Sequence, residues 1–269
     1  MVTREISLPD GRRLSWAEAG PPDAPATIVW LHAFPLTHAM WQPQLAAVPP
    51  GWRAMAPDLA GLGASADHAG RPVIDDFVRD VEGLLEAMGA GRVVVGGLSM
   101  GGYAALAYQR VAPGRLSGLV LADTRSGADS PEGRHGRERM LGLVESGGAP
   151  AVASEMLPKL VGSTTHARRP HVVAEVRRLI ESNPVEGIRR AIMRMRDRPD
   201  STGLLRQIRV PVLVVVGEED AITPVEESRA LASALDDGTL AIVPAAGHLS
   251  NMENPDSFNA ALWPWLGGL

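Results

Sequence analysis

A single serine, Ser99, stands in the run GGLSMGG (residues 96–102), with Gly97 two positions before it and Gly101 two positions after. That spacing suits a strand that turns abruptly into a helix and leaves a strained residue, its hydroxyl exposed, at the tip of the turn. A serine hydroxyl is a weak nucleophile near neutral pH. It needs a base within hydrogen-bond reach and a third group that fixes the tautomer of the base. For a serine on such a turn the expected chain order is serine, acid, histidine. Of the seven histidines only His248, in PAAGHLSN, follows the last apolar run. His32, His38 and His68 precede the serine, and His135, His166 and His171 fall in an Arg-rich middle region. His248 is therefore read as the general base.

Two carboxylates qualify as the acid. Asp220 closes the run VLVVVGEED and Asp123 closes LVLAD. Asp220 is favoured because a strand-end carboxylate there would face the histidine loop. Asp123 is read as a carboxylate bonded to backbone N–H groups of ADTRS, and Glu218 and Glu219 as solvated neighbours, with Glu219 the third choice for the acid. A tetrahedral intermediate also needs two N–H donors aimed at its oxygen. One is expected at Met100, directly after the serine at a helix N-terminus, and the other in the loop HAFP (32–35).

The elements that must position these groups follow from the hydrophobic pattern. REISLPDGRRLSWAEAG (4–20) reads as a hairpin about Pro9-Asp10-Gly11. ATIVWLHAF, WRAMAPD, RVVVGG, RLSGLVLAD, VPVLVVVG and TLAIVP are short apolar runs of the kind buried in a parallel sheet. Helices are predicted around 40–47, over 72–88 with Val73, Phe77, Val81, Leu84, Leu85 and Met88 on one face, after Ser99 up to Pro113, near 224–235 and over 255–266. The strand enters the serine turn directly and a helix leaves it, which is the context that the glycine-serine spacing requires. Between 125 and about 209 the strand-like runs vanish and Arg-rich helical segments such as PHVVAEVRRLIE and GIRRAIMRMRD take over. The prediction is a doubly wound α/β core, 1–124 with 210–269, interrupted by a helical insertion, 125–209, with the reactive groups on loops at the strand C-termini.

Composition narrows the class. The chain of 269 residues is 45% hydrophobic and 21% charged, ordinary for a globular enzyme, and carries a net charge of −5, which argues against a general nucleic-acid binder. No cysteine is present, so thiol nucleophiles and Cys-ligated zinc are excluded. No leader-like or membrane-spanning run stands out, and the expectation is a soluble, cytoplasmic protein that needs no metal or cofactor. GLGASA (61–66) fits a dinucleotide fingerprint and follows a strand, but the chain goes on as DHAGRP rather than as a helix, so nucleotide binding is not expected.

Several stretches, in order, resemble the serine-dependent α/β-hydrolases: HAFPL (32–36), PDLAGLGAS (57–65), GGLSMGG (96–102), VVVGEEDAITP (214–224) and AGHLSNMENPDSF (246–258). The similarity is to the aryl esterase, non-haem haloperoxidase and 3-oxoadipate enol-lactonase branch. It implies a mostly parallel eight-stranded sheet flanked by helices, with a helical cap inserted after strand 6. It also implies Ser99 as nucleophile, Asp220 as acid, His248 as base, and the amides of Phe34 and Met100 as oxyanion donors. The expected partner is a small ester or lactone. Relatives active as perhydrolases carry a proline after the oxyanion aromatic, so Pro35 suggests peracid formation as a side activity. The family usually has glycine where this chain has Ala33, which would be strained if that position requires a positive φ.

The bland readings stand beside these. His32 is expected to brace its loop and Trp30 to be core packing. Trp41 is a candidate border of the acyl pocket, and Met193, with Met140, Met156 and Met195, is candidate pocket lining or helix packing. Residues 125–200 carry 14 of the 26 basic residues and ten acidic ones. That local excess reads first as solvated helix faces and second as an attraction for carboxylate-bearing substrates. Cleavage of a C–C or aminopeptide bond on the same triad, and a weakly catalytic ligand receptor of the same fold, are the rival functions.

Overall fold

The computed structural model describes residues 2–269. Eight strands form one sheet: β1 (Val2–Ser7), β2 (Arg13–Ala19), β3 (Ala26–Leu31), β4 (Trp52–Pro57), β5 (Val93–Leu98), β6 (Leu116–Ala122), β7 (Val212–Gly217) and β8 (Gly238–Val243). Their order is β1-β2-β4-β3-β5-β6-β7-β8. The hairpin β1–β2 is antiparallel and β2 pairs antiparallel with β4, while every pairing from β4 to β8 is parallel. β5 and β7 are buried along their whole length, as expected of apolar strands covered on both faces.

The helices are α1 (Gln42–Ala46), α2 (Asp75–Ala87), α3 (Met100–Val111), α4 (Pro131–Leu160), α5 (Ser163–Arg168), α6 (Pro170–Glu181), α7 (Val185–Arg196), α8 (Val225–Ser233), α9 (Ser250–Glu253) and α10 (Pro255–Leu266). α2 packs on α3, α8 on β7 and β8, and α1 on α10. Phe77, Val81, Leu84 and Leu85 form the buried face of α2, but Val73 precedes the helix and is exposed, because the helix starts three residues later than its periodicity suggests.

Between β6 and β7 the chain is helical. α4 is two helices joined at a kink, where Gly148 leaves helical geometry with φ 62° just before Pro150. A residue with a side chain is disfavoured at that φ, and the following proline suits the start of the second helix. α4 packs on α6 and α7, and Val152, Ile188 and Ile192 join the same hydrophobic cluster as the sheet. Buried charge pairs add a second attachment. Arg194 of α7, fully buried, reaches Asp67 and Asp76, with its guanidinium 5.1 Å from the Phe77 ring. Arg198 binds Asp129 at 2.7 Å and lies 3.9 Å over the Tyr103 ring.

Candidate active site

Ser99 sits between the end of β5 and the start of α3 with φ 53°, a left-handed conformation that costs a non-glycine residue on the order of 1–3 kcal/mol. The glycines around it explain how the turn is held. A β-carbon at Gly97 would collide with the backbone of Gly101, one at Gly101 with the carbonyl of Leu31, and one at Gly102 with the Thr124 side chain. The Ser99 amide donates to Ala122 O at 2.9 Å, and Thr124 Oγ1 donates to Ser99 O at 2.8 Å. The end of β6 thus locks the strained residue in place.

His248 and Asp220 arrive from the ends of β8 and β7. His248 Nε2 lies 2.8 Å from Ser99 Oγ, and its Nδ1 lies 2.8 Å from Asp220 Oδ2. The imidazole is buried, and so is the acid. Asp220 Oδ1 accepts from the amides of Ile222 (2.8 Å) and Thr223 (3.0 Å), and Oδ2 accepts from Thr223 Oγ1 at 2.7 Å. Burial pushes the Asp220 carboxyl upward. The adjacent His248 and the bonds from Thr223 outweigh it and hold the group below the usual carboxylate range.

Asp123 has a different role from the loop cap expected of it. It is fully buried at φ 45°, takes the Gly217 amide on Oδ1 at 2.8 Å and Ser250 Oγ on Oδ2, and joins the end of β6 to β7 and to the histidine loop. Burial, with the nearby Asp220 charge, pushes its pKa well above the usual carboxylate range.

The loop after β3 is braced from inside. His32 accepts the Leu59 amide on Nε2 at 2.9 Å and, through Nδ1–H, bonds Ala33 O at 3.0 Å. Burial holds its pKa at about 4, so the ring is neutral. Ala33 has no positive φ, and the strain anticipated there is absent. Among the described residues the Phe34 and Met100 amides donate to no protein acceptor. Both residues are buried, and Met100 opens α3, where the helix dipole favours negative charge.

Trp41 and Met193, the two candidate pocket residues, have different surroundings. Trp41 is fully buried and stacks on Trp30 at 4.4 Å, with Phe258 at 6.2 Å. Met193 is half-buried on α7, and its sulfur lies 3.4 Å from Arg189 Nη1. GLGASA forms turns before α2 rather than opening a helix, and Gly63 packs against Asp58.

Four side chains around the site had no role assigned from sequence. Thr223 holds the Asp220 carboxylate. Glu253, 2% exposed, accepts the amides of Gly247 and Leu249 on Oε1 at 2.9 and 3.1 Å, bracketing His248, and takes the Gly162 amide on Oε2 at 2.8 Å. Glu219 is not simply solvated: it accepts the Thr164 amide at 2.9 Å and Ser163 Oγ at 3.1 Å, tying α5 to the loop after β7. Asn183 joins the insertion to the loop after β3. None of the four differs in type from an ordinary surface polar residue, so the sequence carries no signal for its contacts.

A cavity of about 590 Å³ lies mainly against α4, and none of Ser99, Asp220, His248, Phe34 or Met100 lines it. Its wall includes Arg125, next to Thr124 on Ser99, and Ile222, whose amide bonds Asp220. Met140 and Leu143 supply apolar surface. Of the cavity's four cations, Arg125 and Arg137 pair with Asp129 at 3.2 and 3.0 Å and Lys159 with Glu155 at 3.5 Å.

Sheet order, strained serine turn and strand-end loops define an α/β-hydrolase, and the chain belongs to the alpha/beta hydrolase fold family, whose model matches residues 26–255. The chain is similar to a thermophilic esterase from Thermogutta terrifontis, solved with malate bound: 36% identity, 100% of this chain and 99% of that one, TM-score 0.93. It is 25% identical over 94% of its length to 3-oxoadipate enol-lactonase 1 of Acinetobacter baylyi, covering 92% of that protein. The enol-lactonase from Burkholderia xenovorans LB400 is 26% identical with a TM-score of 0.87, over 98% and 100% of the two chains. Among the described residues no helix is long and apolar enough to cross a membrane.

Proposed function

We propose that this chain is a carboxylic-ester hydrolase that cleaves small esters or lactones through an acyl-enzyme on Ser99. The observation that carries this reading is the hydrogen-bonded series Ser99 Oγ, His248 and Asp220, with both links at 2.8 Å. Ser99 Oγ attacks the ester carbonyl as its proton passes to His248 Nε2. Ionised Asp220 keeps the Nδ1 proton in place and stabilises the imidazolium. The amides of Phe34 and Met100 receive the oxyanion. Collapse of the intermediate expels the alcohol, which takes the proton from His248. Water then repeats the sequence on the acyl-enzyme and restores Ser99.

The helical insertion, 125–209, acts as a cap over the substrate. The local excess of basic residues over 125–200, 14 against ten acidic ones, supports a preference for esters or lactones that carry a carboxylate. The esterase and enol-lactonase relatives support the ester and lactone class. Hydrolysis of a p-nitrophenyl ester series by the wild type and by Ser99→Ala tests the proposal. Turnover that vanishes in the variant supports it, and a single stoichiometric burst, or silence in both, contradicts it.

A further inference from the structure

We infer that Asn183, a residue of the helical insertion, is a positioning residue for the oxyanion loop, so that seating of the insertion and activation of the ester carbonyl are coupled. The inference rests on the reading of Phe34 as an oxyanion donor. Asn183 lies between α6 and α7 and is 5% exposed. Its Nδ2 donates to Pro35 O at 2.8 Å and to Leu179 O at 3.0 Å, with Leu36 O at 3.5 Å, and its Oδ1 accepts the Gly63 amide at 2.8 Å. Only an amide side chain satisfies carbonyls on one side and an N–H on the other. A simple cap of α6 needs only the bond to Leu179. The remaining bonds reach the loops after β3 and β4, where α7 packs so closely that a β-carbon at Gly187 would collide with the Gly61 carbonyl.

The Pro35 carbonyl belongs to the peptide next to the one that follows Phe34. The same loop is already held from below, by Leu36 N on Ala33 O at 2.9 Å and by His32 on Leu59. Asn183 is its restraint from the insertion side. Oxyanion stabilisation depends on donors fixed before charge develops, and a displacement of about 1 Å costs up to about 100-fold in rate. Removing this restraint therefore acts on the transition state more than on ground-state binding.

The test is the rate at which diisopropyl fluorophosphate labels Ser99. Ser99 Oγ bonds to phosphorus, the P–F bond breaks, fluoride leaves and the serine proton passes to His248, with the phosphoryl oxygen in the oxyanion position. Asn183→Asp retains the acceptor for Gly63 but sets a carboxylate oxygen against two carbonyls, and Asn183→Ala removes both sides at lower risk to folding. Arg190→Ala is the control: it breaks a different contact of the insertion, to Asp67 and to the carbonyls of His68 and Gly70. The expected result is labelling about 10- to 100-fold slower in both Asn183 variants, a matching fall in kcat with KM within about twofold on any ester turned over, and wild-type labelling in Arg190→Ala. Wild-type labelling in the Asn183 variants, or equal slowing in Arg190→Ala, overturns the inference alone. A wild type that the reagent does not label overturns the proposed function as well.

Discussion

Gly101 lies against the carbonyl of Leu31, leaving no room for a β-carbon, so α3 begins in backbone contact with the end of β3. This contact brings the serine turn beside the loop that carries Phe34. Gly101→Ala must push the two apart or distort the turn. A loss of about 3 kcal/mol or more in stability is expected, together with loss of Ser99 labelling in whatever protein folds. Chemical denaturation and labelling by a fluorophosphonate check both.

The two buried aspartates make opposite predictions. Asp220→Asn places an amide against His248 Nδ1 and favours the wrong tautomer, so kcat falls on the order of 10³–10⁴, the scale for an acid-to-amide change at such a histidine. Asp123→Asn removes a charge that burial and Asp220 disfavour, and asparagine tolerates a φ of 45°. Its amide can accept from Gly217 and donate to Ser250. Activity within about tenfold of wild type is expected. Steady-state kinetics on the two variants decide which carboxylate serves His248.

His32 links stability to pH. Its pKa is held at about 4 in the fold against an ordinary value of 6.5. Between these values the unfolded chain binds a proton that the native ring does not. The contribution is present above pH 6.5 and is lost as pH falls toward 4, amounting to about 3 kcal/mol. His32→Gln removes this titration. Unfolding free energies measured across pH 4–7 should slope less steeply in the variant than in the wild type.

The cavity charges predict a substrate effect. Arg139 and Lys159 are exposed on its wall, so each contributes a screened attraction of about 0.5–1 kcal/mol. Replacing both with alanine should raise KM about 5- to 30-fold for an ester with a terminal carboxylate and leave the corresponding methyl ester unchanged. Adding salt to the wild type should reproduce part of the effect.

Much of this architecture is written locally in the chain. The apolar runs around β3 to β8, the glycine spacing at Ser99 and the span of α10, Pro255–Leu266, depend on neighbours in sequence, and these are legible there. Fold and family follow from them. What escaped is set by contacts across the chain. Asn183 meets Pro35 from 148 residues away, and Glu253 meets Gly162 from 91. Neither residue differs in type from an ordinary surface polar residue, and only tertiary packing shows that it is buried. Glu219 was misread for the same reason, since its partners are on α5. Periodicity also extended α2 to Val73, because an apolar residue in register does not reveal that the helix has yet to begin.

The central claim is a covalent one, and mass spectrometry of the acid-quenched protein during turnover of p-nitrophenyl butyrate tests it most directly. The account predicts one butyryl group on the peptide that contains Ser99, appearing before steady state and accumulating further in a variant slowed in deacylation. An unmodified Ser99 peptide during rapid turnover, or butyryl carried on another residue, would contradict it.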